Sequence, residues 1–485
     1  MSGHEQVVVV GGGVGGLAAA LALGRAGHPV TVLERDPLPV LAGPHEAFAT
    51  ERRGAPQSHQ THGFLARIVA VLTERFPDVL ADLRAAGCVA LPGGLALGEP
   101  QPGDEDLVVL AMRRTTFEWV LRRAVLAEPG VDVRTGAGVT GLTAERPPVG
   151  PPRVDGVVLD DGTTFAADVV IAATGRRGPV RAWLAGVGVE VDETIRESGL
   201  MYLTRWYRLP AGPAATLDPR LGGDLGYVKY LGVPGDGGTL SITLAIRSAD
   251  ASLRTALSDP DRFEQACRAL PGPDQFFAGG PLRPLGTVRP MGGLLNRLRR
   301  FLDAAGRPAV LGFHAVGDAH TCTNPLYGRG CSLALVQATL LADAMAGHPG
   351  DALGRALAYE AASAREIEPW YHLAVQTDGA GTDPDGDPGE DDPDGDGTAT
   401  AQSPQARAMA ALVTAGTTDP VIGRALSRLW NLLARPDELA ADPVVAGRMA
   451  AVLADPDAYP PPPRVGPTRR ELLDLLAAEE ATTRA

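Results

Sequence analysis

The chain has 485 residues, which is more than one hydrophobic core normally organises, so we expect two or three structural subregions. Hydrophobic residues make up 45% and charged residues 21%, which is typical of a globular protein and excludes a wholly disordered, collagenous or coiled-coil chain. The formal net charge of −14 has the wrong sign for a protein that neutralises phosphates, so we exclude nucleic acid as the default partner.

The four cysteines predict neither a disulfide framework nor a metal site, because they are widely spaced and form no C-x-x-C pair. They favour free thiols in a reducing compartment. No stretch reaches the ~20 consecutive apolar residues that a membrane span requires, and the apolar run near the N-terminus ends at Val10. We therefore expect a cytoplasmic protein with no bound metal and no membrane span.

The strongest local signal is a βαβ pattern at the start of the chain. Val7–Val10 is a continuous β-branched run, typical of a strand buried on both faces, and the motif G-x-G-x-x-G follows it at once. The motif predicts a tight turn at Gly11, a close approach to a pyrophosphate at Gly13 and tight helix packing at Gly16. Glu34 ends the second strand, where a carboxylate can accept both ribose hydroxyls. The pattern therefore predicts a dinucleotide site.

A second match to the same motif, Gly136–Gly141, has a different context. The residues after it alternate like a strand and run into Pro147-Pro148 instead of opening a helix. We interpret it as a turn between strands, so the sequence predicts one dinucleotide site and no separate nicotinamide-binding fold.

Further glycine turns follow predicted strands downstream. Asp168–Gly175 is typical of a buried strand that ends in an Ala-Thr-Gly turn, and Ala309–Phe313 of a short strand before the Gly-Asp pair at 317–318. The loop 324–330 contains two glycines and a proline, and the apolar helix Cys331–Ala346 is predicted to follow it. Such a loop gathers backbone N–H groups at the start of a helix.

These segments together resemble the three fingerprints of flavoproteins of the para-hydroxybenzoate hydroxylase type, a superfamily that also contains epoxidases, halogenases and geranylgeranyl reductases. The residues that carry the resemblance are Gly11, Gly13, Gly16 and Glu34, then Ala173, Thr174 and Gly175, and last Gly317, Asp318, Pro325, Gly328 and Gly330. It extends over about residues 7–373 and implies FAD as cofactor. The implied fold is α/β: a Rossmann-like FAD-binding domain of the glutathione-reductase type, an interleaved β-sheet substrate domain and a C-terminal helical region.

The resemblance also implies roles for residues at the cofactor. Asp318 would hydrogen-bond the ribityl chain, and the following helix would point its N-terminus at the flavin N1 and C2 carbonyl, where negative charge collects on reduction. Arg113 and Arg53 are similar to arginines that the family directs at FAD, with solvated arginines as the alternative. The expected FAD-binding residues are Gly11, Gly13, Val14, Gly15, Gly16, Glu34, Arg35, Arg53, Arg113, Thr174, Gly175, Asp318, Pro325, Gly328, Gly330 and Cys331.

The chain departs from the hydroxylase pattern at Thr174, where single-component hydroxylases usually carry an aspartate thought to serve both FAD and the incoming nicotinamide. The expected electron source is therefore either NAD(P)H or a separate flavin reductase partner. The W-x-W-x-I-P signature of the halogenases is missing from the sequence, and the only lysine is Lys229, far along the chain, so halogenation is disfavoured.

Alternating residues between about 196 and 284 predict a β-sheet that covers the flavin. Its apolar residues line a substrate pocket or form plain core; they are Met201, Leu203, Tyr230, Ile242 and Leu244. The candidate catalytic residues are His59, His62 and Lys229, because imidazoles beside a flavin loop could move protons and a lysine could orient a carboxylate or enolate. A structural imidazole and a solvated lysine are the alternatives.

The predicted domains follow from these segments. The FAD-binding domain comprises residues 1–85, 105–195 and 285–375, and the substrate domain residues 86–104 and 196–284. Residues 376–403 are expected to form a disordered insert, because nine acidic and no basic residues lie between Asp378 and Gln402. Residues 404–485 form the C-terminal helical region, with helices near 405–415, 420–434, 443–453 and 468–480.

The resemblance implies an FAD-dependent monooxygenase that hydroxylates or epoxidises a bulky apolar small molecule of specialised metabolism. In such enzymes reduced FAD reacts with molecular oxygen to a C4a-hydroperoxide, while the protein supplies positioning and a water-excluding pocket. Two alternatives stay open: an FAD-dependent reductase or dehydrogenase of an isoprenoid-like substrate, and a protein that keeps FAD while catalysing a redox-neutral cyclisation. The sequence favours no particular oligomeric state.

Overall fold

The computed structural model of the chain describes residues 4–95, 97–210, 221–379 and 404–483. The strands are β1 (Val7–Val10), β2 (Val30–Glu34), β3 (Val89–Pro92), β4 (Val108–Ala111), β5 (Val131–Thr135), β6 (Val139–Glu145), β7 (Arg153–Leu159), β8 (Thr164–Ala166), β9 (Val169–Ala172), β10 (Asp192–Glu197), β11 (Leu200–Arg208), β12 (Gly222–Asp224), β13 (Val228–Gly235), β14 (Thr239–Arg247), β15 (Arg283–Pro284), β16 (Arg289–Met291), β17 (Leu295–Arg300), β18 (Phe313–Ala315) and β19 (Thr321–Cys322). The α-helices are α1 (Val14–Arg25), α2 (Pro44–Ala49), α3 (Ala66–Arg75), α4 (Pro77–Ala85), α5 (Arg114–Ala127), α6 (Val180–Gly186), α7 (Ala251–Ser258), α8 (Pro260–Ala269), α9 (Gly330–Gly347), α10 (Ala352–Glu366), α11 (Glu368–Gly379), α12 (Pro404–Gly416), α13 (Pro420–Trp430), α14 (Pro436–Ala441), α15 (Pro443–Ala454) and α16 (Arg469–Thr483).

A five-stranded parallel sheet, in the order β18-β9-β1-β2-β5, forms the centre of the FAD-binding part. β1 pairs with β2 from Val7 opposite Val30, and with β9 from Val7 opposite Val169. Residues of β1, β2 and β9 are buried throughout because both faces of the sheet are covered. The βαβ unit and the strand before Thr174 are therefore confirmed.

Different elements pack on the two faces of this sheet. Val7 and Val9 face a core formed with α1, α3, α4, α5 and α9, whereas Val8 and Val10 face a core formed with the β6-β7-β8 sheet and α6. This alternation follows from the two-residue period of a strand. The second glycine motif spans the connection after β5 and the first residues of β6 without an intervening helix, which confirms the turn between strands.

Helix α9 has the length and composition of a membrane-spanning helix, yet 67% of its apolar window is buried inside the fold. It packs lengthwise against α1, so its apolar residues belong to the core of the FAD-binding part. Among the described residues, no other helix has the length and composition for a membrane span.

A second, antiparallel sheet has the order β12-β13-β14-β11-β15, with β16 also paired to β11. Alternation between about residues 196 and 284 predicted a β-sheet, and β13 and β14 form a hairpin within it that reverses direction through a turn at Asp236–Gly238. One face of the sheet packs on α7, α8 and α16, where Leu472 and Leu476 of α16 enter the core. The other face is directed at the loops of the FAD-binding part.

The C-terminal region is helical as predicted, with α12, α13, α15 and α16 near the expected positions and α14 as an additional short helix. Helix α13 ends at Trp430, earlier than predicted, and Leu432 beyond it takes a left-handed backbone conformation with φ 60°. Of the predicted insert, residues 380–403 lie outside the described residues, whereas residues 376–379 continue helix α11. The division into domains stays a prediction.

Candidate functional site

The glycine turn after β1 has the geometry that a dinucleotide site needs. A Cβ atom added to Gly16 would lie 1.8 Å from the carbonyl oxygen of Gly11, and Gly11 itself has φ +110°. Only glycine fits these two positions. Gly13 has open space beside it, with the nearest side-chain atom 3.9 Å from an added Cβ, so the backbone N–H groups at the start of α1 are accessible.

Glu34 is fixed at the tip of β2 beside this turn. Its Oε2 accepts a hydrogen bond from the backbone N–H of Gly12 at 2.8 Å, and its Oε1 accepts one from Asp36 at 2.9 Å. The residue is 5% exposed, so its carboxylate orientation is set by these bonds. Arg35, which follows it, is exposed.

The loop after α2 contributes Arg52 to this end of the site. The Arg52 guanidinium pairs with Glu34 at 2.8 Å and also with Glu118 of α5. Arg53, the residue predicted from the resemblance, is exposed, and its role stays a prediction. Sequence reasoning missed Arg52 because two adjacent arginines in a loop carry no periodic signal that tells them apart.

Arg113 and Arg114 at the start of α5 have different partners. The backbone N–H, Nε and Nη2 of Arg113 all donate to the carboxylate of Asp236, and Arg113 is 1% exposed. The guanidinium is thus held by the turn of the substrate sheet, and the contact of Arg113 with the cofactor stays a prediction. Arg114 instead lies 3.9 Å from a Cβ added to Gly13, and its buried Nε has no partner.

Asp318 lies where the third glycine segment meets helix α9. A Cβ added to Gly330 would be 3.9 Å from Oδ1 of Asp318, so the Asp318 carboxylate lies at the start of α9. Burial raises the pKa of Asp318, while Arg114, Arg176 and Arg297 act in the opposite direction. The acid is thus held within a cluster of cations, none of which was among the predicted site residues.

Thr174, Gly175 and Cys331 surround the same end of the site. Thr174 follows β9, and its buried hydroxyl has no hydrogen-bond partner. Gly175 takes φ +68°, which turns the chain away from the sheet. Burial raises the pKa of the Cys331 thiol to about 11, so it is protonated near neutral pH and is no thiolate nucleophile.

Two loops meet backbone to backbone beside this cluster. A Cβ added to Gly63 would be 3.4 Å from the Cα of Gly328, which itself has φ +66°. Pro325 begins the short 3-10 turn Pro325–Tyr327 that precedes Gly328. The predicted residues Pro325, Gly328 and Gly330 therefore form one wall of the site, and residues 61–63 lie against it.

His62 is directed into the site as a neutral imidazole. Its Nδ1 lies 2.9 Å from the carbonyl oxygen of Gln60. Burial, with a contribution from nearby Arg114, lowers the pKa of His62 to about 3. A neutral ring that donates from Nδ1 to Gln60 has its Nε2 lone pair available as an acceptor.

His59 and Lys229 are placed differently from His62. The His59 ring lies 2.7 Å from the carbonyl oxygen of Phe48 through Nε2 and 3.2 Å from the Ser58 hydroxyl through Nδ1, so both nitrogens are used in packing the loop. The catalytic role of His59 stays a prediction, which these two contacts do not favour. Lys229 pairs with Asp224 at the edge of the substrate sheet, and its side chain is 38% exposed.

The face of the substrate sheet that meets these loops carries four hydroxyl groups and one indole, and we call it the hydroxyl face. It comprises Tyr202, Thr204, Trp206, Ser241 and Thr243. Thr204 donates to Gln60 Oε1 at 2.7 Å, the Thr243 and Thr61 hydroxyls lie 2.7 Å apart, and the Trp206 indole donates to the His59 carbonyl at 2.7 Å. Sequence reasoning missed this face, although the two-residue period marked it as the polar one.

The five apolar residues considered for the pocket lie on the opposite face of the sheet. They are Met201, Leu203, Tyr230, Ile242 and Leu244, and all are buried against α7, α8 and α16. They form core, which was the alternative interpretation of the sequence.

The glycine turn after β1 and the polar side chains around it fit FAD. Two buried side-chain atoms at the site, Arg114 Nε and Thr174 Oγ1, have no hydrogen-bond partner among the described residues. Unpartnered buried donors are costly, so they indicate a bound polar group. The residues that the structure describes contain no group of three His, Cys, Asp or Glu side chains arranged to hold a metal ion.

Comparison with known proteins agrees with this geometry. The model of the FAD dependent oxidoreductase family matches residues 6–210. The chain is 30% identical over 367 residues to the protein Rv3254 of Mycobacterium tuberculosis, covering 69% of this chain and 71% of that protein. It is 28% identical over 377 residues to the kynurenine 3-monooxygenase of Salinispora arenicola, covering 74% of this chain and 76% of the enzyme.

A solved structure shares the fold. The crystal structure of pqsL, a probable FAD-dependent monooxygenase from Pseudomonas aeruginosa, matches with a TM-score of 0.58 at 20% identity, and the match covers 78% of this chain and 96% of that one. The glycine cradle, the acid at the tip of β2 and the match to Rv3254 agree, and this chain is an enzyme of the FAD-dependent oxidoreductase family, within the superfamily of the para-hydroxybenzoate hydroxylase type.

Proposed function

We propose that the chain is an FAD-dependent monooxygenase that transfers one atom of molecular oxygen to a small organic substrate. The observation that carries this proposal is the packing of the hydroxyl face over the loop of His62 and against the turn that precedes α9. Such packing would cover the reacting end of a bound FAD and exclude water from it. The kinship with kynurenine 3-monooxygenase supports the same reaction class.

The chain's own residues would bind the cofactor along its length. The adenosine ribose would hydrogen-bond to Glu34, the pyrophosphate to the N–H groups at Gly13 and the start of α1, and the ribityl chain to Asp318. Arg114 would neutralise phosphate charge beside Gly13. When bound, FAD supplies the redox chemistry and the activation of oxygen.

His62 would orient the substrate through Nε2. A ring whose pKa lies at about 3 is too weak a base to take a proton completely near neutral pH. The neutral ring can accept a hydrogen bond from a substrate O–H or N–H and hold that group in one orientation. We therefore assign to His62 a positioning contact with the substrate.

The substrate that these surfaces favour is a bulky, mostly apolar molecule with a polar group. Leu231 stands directly opposite Thr243 across the β13–β14 pair and is 42% exposed, so apolar surface continues from the hydroxyl face to the edge of the sheet. Lys229 lies two residues before Leu231 on β13 and so has its side chain on the same face. It could bind a substrate carboxylate or enolate in place of Asp224. A multi-ring phenol of specialised metabolism fits this combination.

The electron source would be NAD(P)H or a separate flavin reductase. Thr174 replaces the carboxylate that single-component hydroxylases place at this turn, so direct reduction by a nicotinamide would depend on other residues. Arg176, which lies close to Asp318, offers a positive charge at the same turn.

The test uses the purified FAD-loaded protein. Anaerobic mixing with NADH, with NADPH or with a flavin reductase and NADH identifies the donor by bleaching of the visible flavin absorption. The reduced protein is then supplied with oxygen and a panel of multi-ring phenols. Oxygen uptake together with a product heavier by one oxygen atom is the expected result. Anaerobic product formation with gain or loss of two hydrogens would indicate a reductase or dehydrogenase instead, and an isomeric product of unchanged mass a cyclase.

A further inference from the structure

A closed network of side-chain hydrogen bonds connects the end of helix α11 to the turn before α9. Asp378, the second-to-last residue of α11, accepts a hydrogen bond on Oδ1 from Asn324 Nδ2 at 2.9 Å and another from the Tyr327 hydroxyl at 3.1 Å. Its Oδ2 accepts one from Asn296 Nδ2 at 2.7 Å. Three donors from two other segments of the chain thus converge on one carboxylate.

Asn324 is the centre of this network. Its backbone N–H donates to Asn296 Oδ1 at 2.7 Å, and its own Oδ1 accepts from the Tyr202 hydroxyl at 2.9 Å and from the backbone N–H of Leu326 at 3.1 Å. Asn296 and Asn324 are both fully buried. Because each amide atom has a partner of the right type, only one orientation of each amide satisfies the network.

The position of Asp378 is unfavourable for helix α11 itself. The carboxyl-terminal end of a helix carries partial negative charge, so an acidic residue there gains nothing from the helix. Its favourable interactions are instead the three hydrogen bonds to Asn296, Asn324 and Tyr327. The carboxylate therefore stabilises the turn that it contacts.

We propose that Asp378 is a positioning residue for the cofactor site. It fixes Asn324 and Tyr327, and so holds the turn from Asn324 to Gly330 in the conformation that places the N-terminus of α9 at the flavin. Through Asn324 it also joins that turn to Tyr202 of the hydroxyl face, so the substrate sheet and the flavin turn are held by one set of bonds. This inference rests on the proposal that FAD occupies the site.

The predicted effect of an amide at position 378 follows from donor counting. An asparagine can keep the bonds from Asn324 and Tyr327, but its Nδ2 then faces the Nδ2 of Asn296. Rotating the Asn296 amide removes that conflict and creates another, since its Nδ2 would then face the backbone N–H of Asn324. An aspartate at 296 opposite an asparagine at 378 would satisfy every group again and keep the same net charge.

The experiment compares Asp378→Asn, Asn296→Asp and the double variant Asn296→Asp/Asp378→Asn with the wild-type protein. The FAD dissociation constant is measured by titrating each apoprotein with FAD and following flavin fluorescence. We expect each single variant to weaken FAD binding by about ten-fold, the scale of one lost charge-assisted hydrogen bond, and the double variant to return to within about three-fold of wild type. Asp474→Asn, which removes an exposed carboxylate of α16, is the matched control and should leave the constant unchanged.

The apoprotein unfolding midpoint separates positioning from general stabilisation. If the single variants lower this midpoint and leave the FAD dissociation constant unchanged, or if the double variant binds FAD no better than Asp378→Asn, the inference is overturned. Tyr327→Phe removes one donor without a new conflict and serves if Asp378→Asn does not fold; it should weaken FAD binding by about three-fold, and unchanged binding would count against the inference. Because these titrations use no turnover, the inference can hold even if the chain proves not to be a monooxygenase.

Discussion

Arg113 and Arg114 show how much depends on a single position at the start of a helix. The residues are adjacent, yet one guanidinium is buried on Asp236 of the substrate sheet and the other lies beside Gly13 with an unpartnered Nε. The first therefore holds two parts of the chain together, and the second, whose Nη2 pairs with Glu118 at 3.3 Å, is the one that we propose for the cofactor. Their different surroundings allow the two roles to be tested side by side.

We expect Arg113→Met and Arg114→Met to have opposite profiles. Arg113→Met leaves the Asp236 carboxylate buried without its partner, which should cost about 3–5 kcal/mol of unfolding free energy. Arg114→Met should weaken FAD binding by about ten-fold or more, because a charge-assisted contact to phosphate is lost. Urea unfolding of the apoprotein and FAD titration measure the two effects. Equal losses of FAD affinity in both variants would contradict the assignment.

The glycines and histidines of the candidate site show what the sequence could and could not predict. The roles of Gly11 and Gly16 follow from local backbone geometry, so the motif is sufficient to find them. The roles of His59 and His62 depend on the surroundings of each ring: the His59 ring meets the carbonyl of Phe48, and Arg114 lies near the His62 ring. Such partners lie far apart in sequence or in separate loops, and no local pattern encodes them.

At the scale of elements, the contact between α1 and the turn before it decides whether the cofactor can bind. Gly16 lies in the first turn of α1, where an added methyl would overlap the Gly11 carbonyl and press on Ala173 at 3.1 Å. Helix α1 would have to move away from β1 to relieve this. The backbone N–H groups that are aimed at the pyrophosphate would move with it.

Gly16→Ala should therefore give a protein that is purified without bound flavin and takes up no added FAD. Gly186→Ala is the matched control, since Gly186 ends helix α6 and an added Cβ there meets nothing within 4 Å. The control should retain full flavin content, because alanine in a helix is at least as favourable as glycine. The ratio of flavin absorption to protein absorption after purification gives the result. A yellow Gly16→Ala protein would refute the helix-packing argument.

The substrate sheet illustrates a different limit of sequence reasoning. Both strands of the β13–β14 hairpin and the long strand β11 were predictable from alternation alone. Alternation defines two faces, however, and the choice of the face that meets the cofactor depends on what packs on each. Helices α7, α8 and α16 take the apolar face, so Thr204 and Thr243 are left to meet the flavin loops.

At the scale of the whole molecule, the C-terminal region joins both parts of the chain. Arg424 of α13 pairs with Asp104 at 2.9 Å, and Asn431 after α13 accepts from the backbone N–H of Ala66 at 3.2 Å. Further on, Leu472 of α16 is fully buried beneath the substrate sheet. The region after residue 404 therefore contacts elements on either side of the site, and stability measured for the whole chain reports on their assembly.

Whole-molecule stability should depend on pH through histidines that are buried in the neutral form. Burial lowers the pKa of both His62 and His314 to about 3, far below the ordinary value of about 6.5. The unfolded chain therefore binds more protons than the folded chain below about pH 6.5, so the stabilisation is complete above that pH and decreases as the pH falls. Each histidine should cost about 1.4 kcal/mol per pH unit in this range.

His314→Gln isolates one of these contributions. Between about pH 7.5 and about pH 5 the unfolding free energy of the wild-type protein should fall by about 2 kcal/mol more than that of the variant, since glutamine takes up no proton in the unfolded chain. His372→Gln is the control, because the His372 side chain is 57% exposed and its substitution should leave the pH dependence as in wild type. Urea unfolding at both pH values, with apoprotein throughout, provides the comparison. A His314→Gln protein that loses as much stability as wild type on acidification would show that the ring is protonated in the fold, and the burial argument for both histidines would then fail.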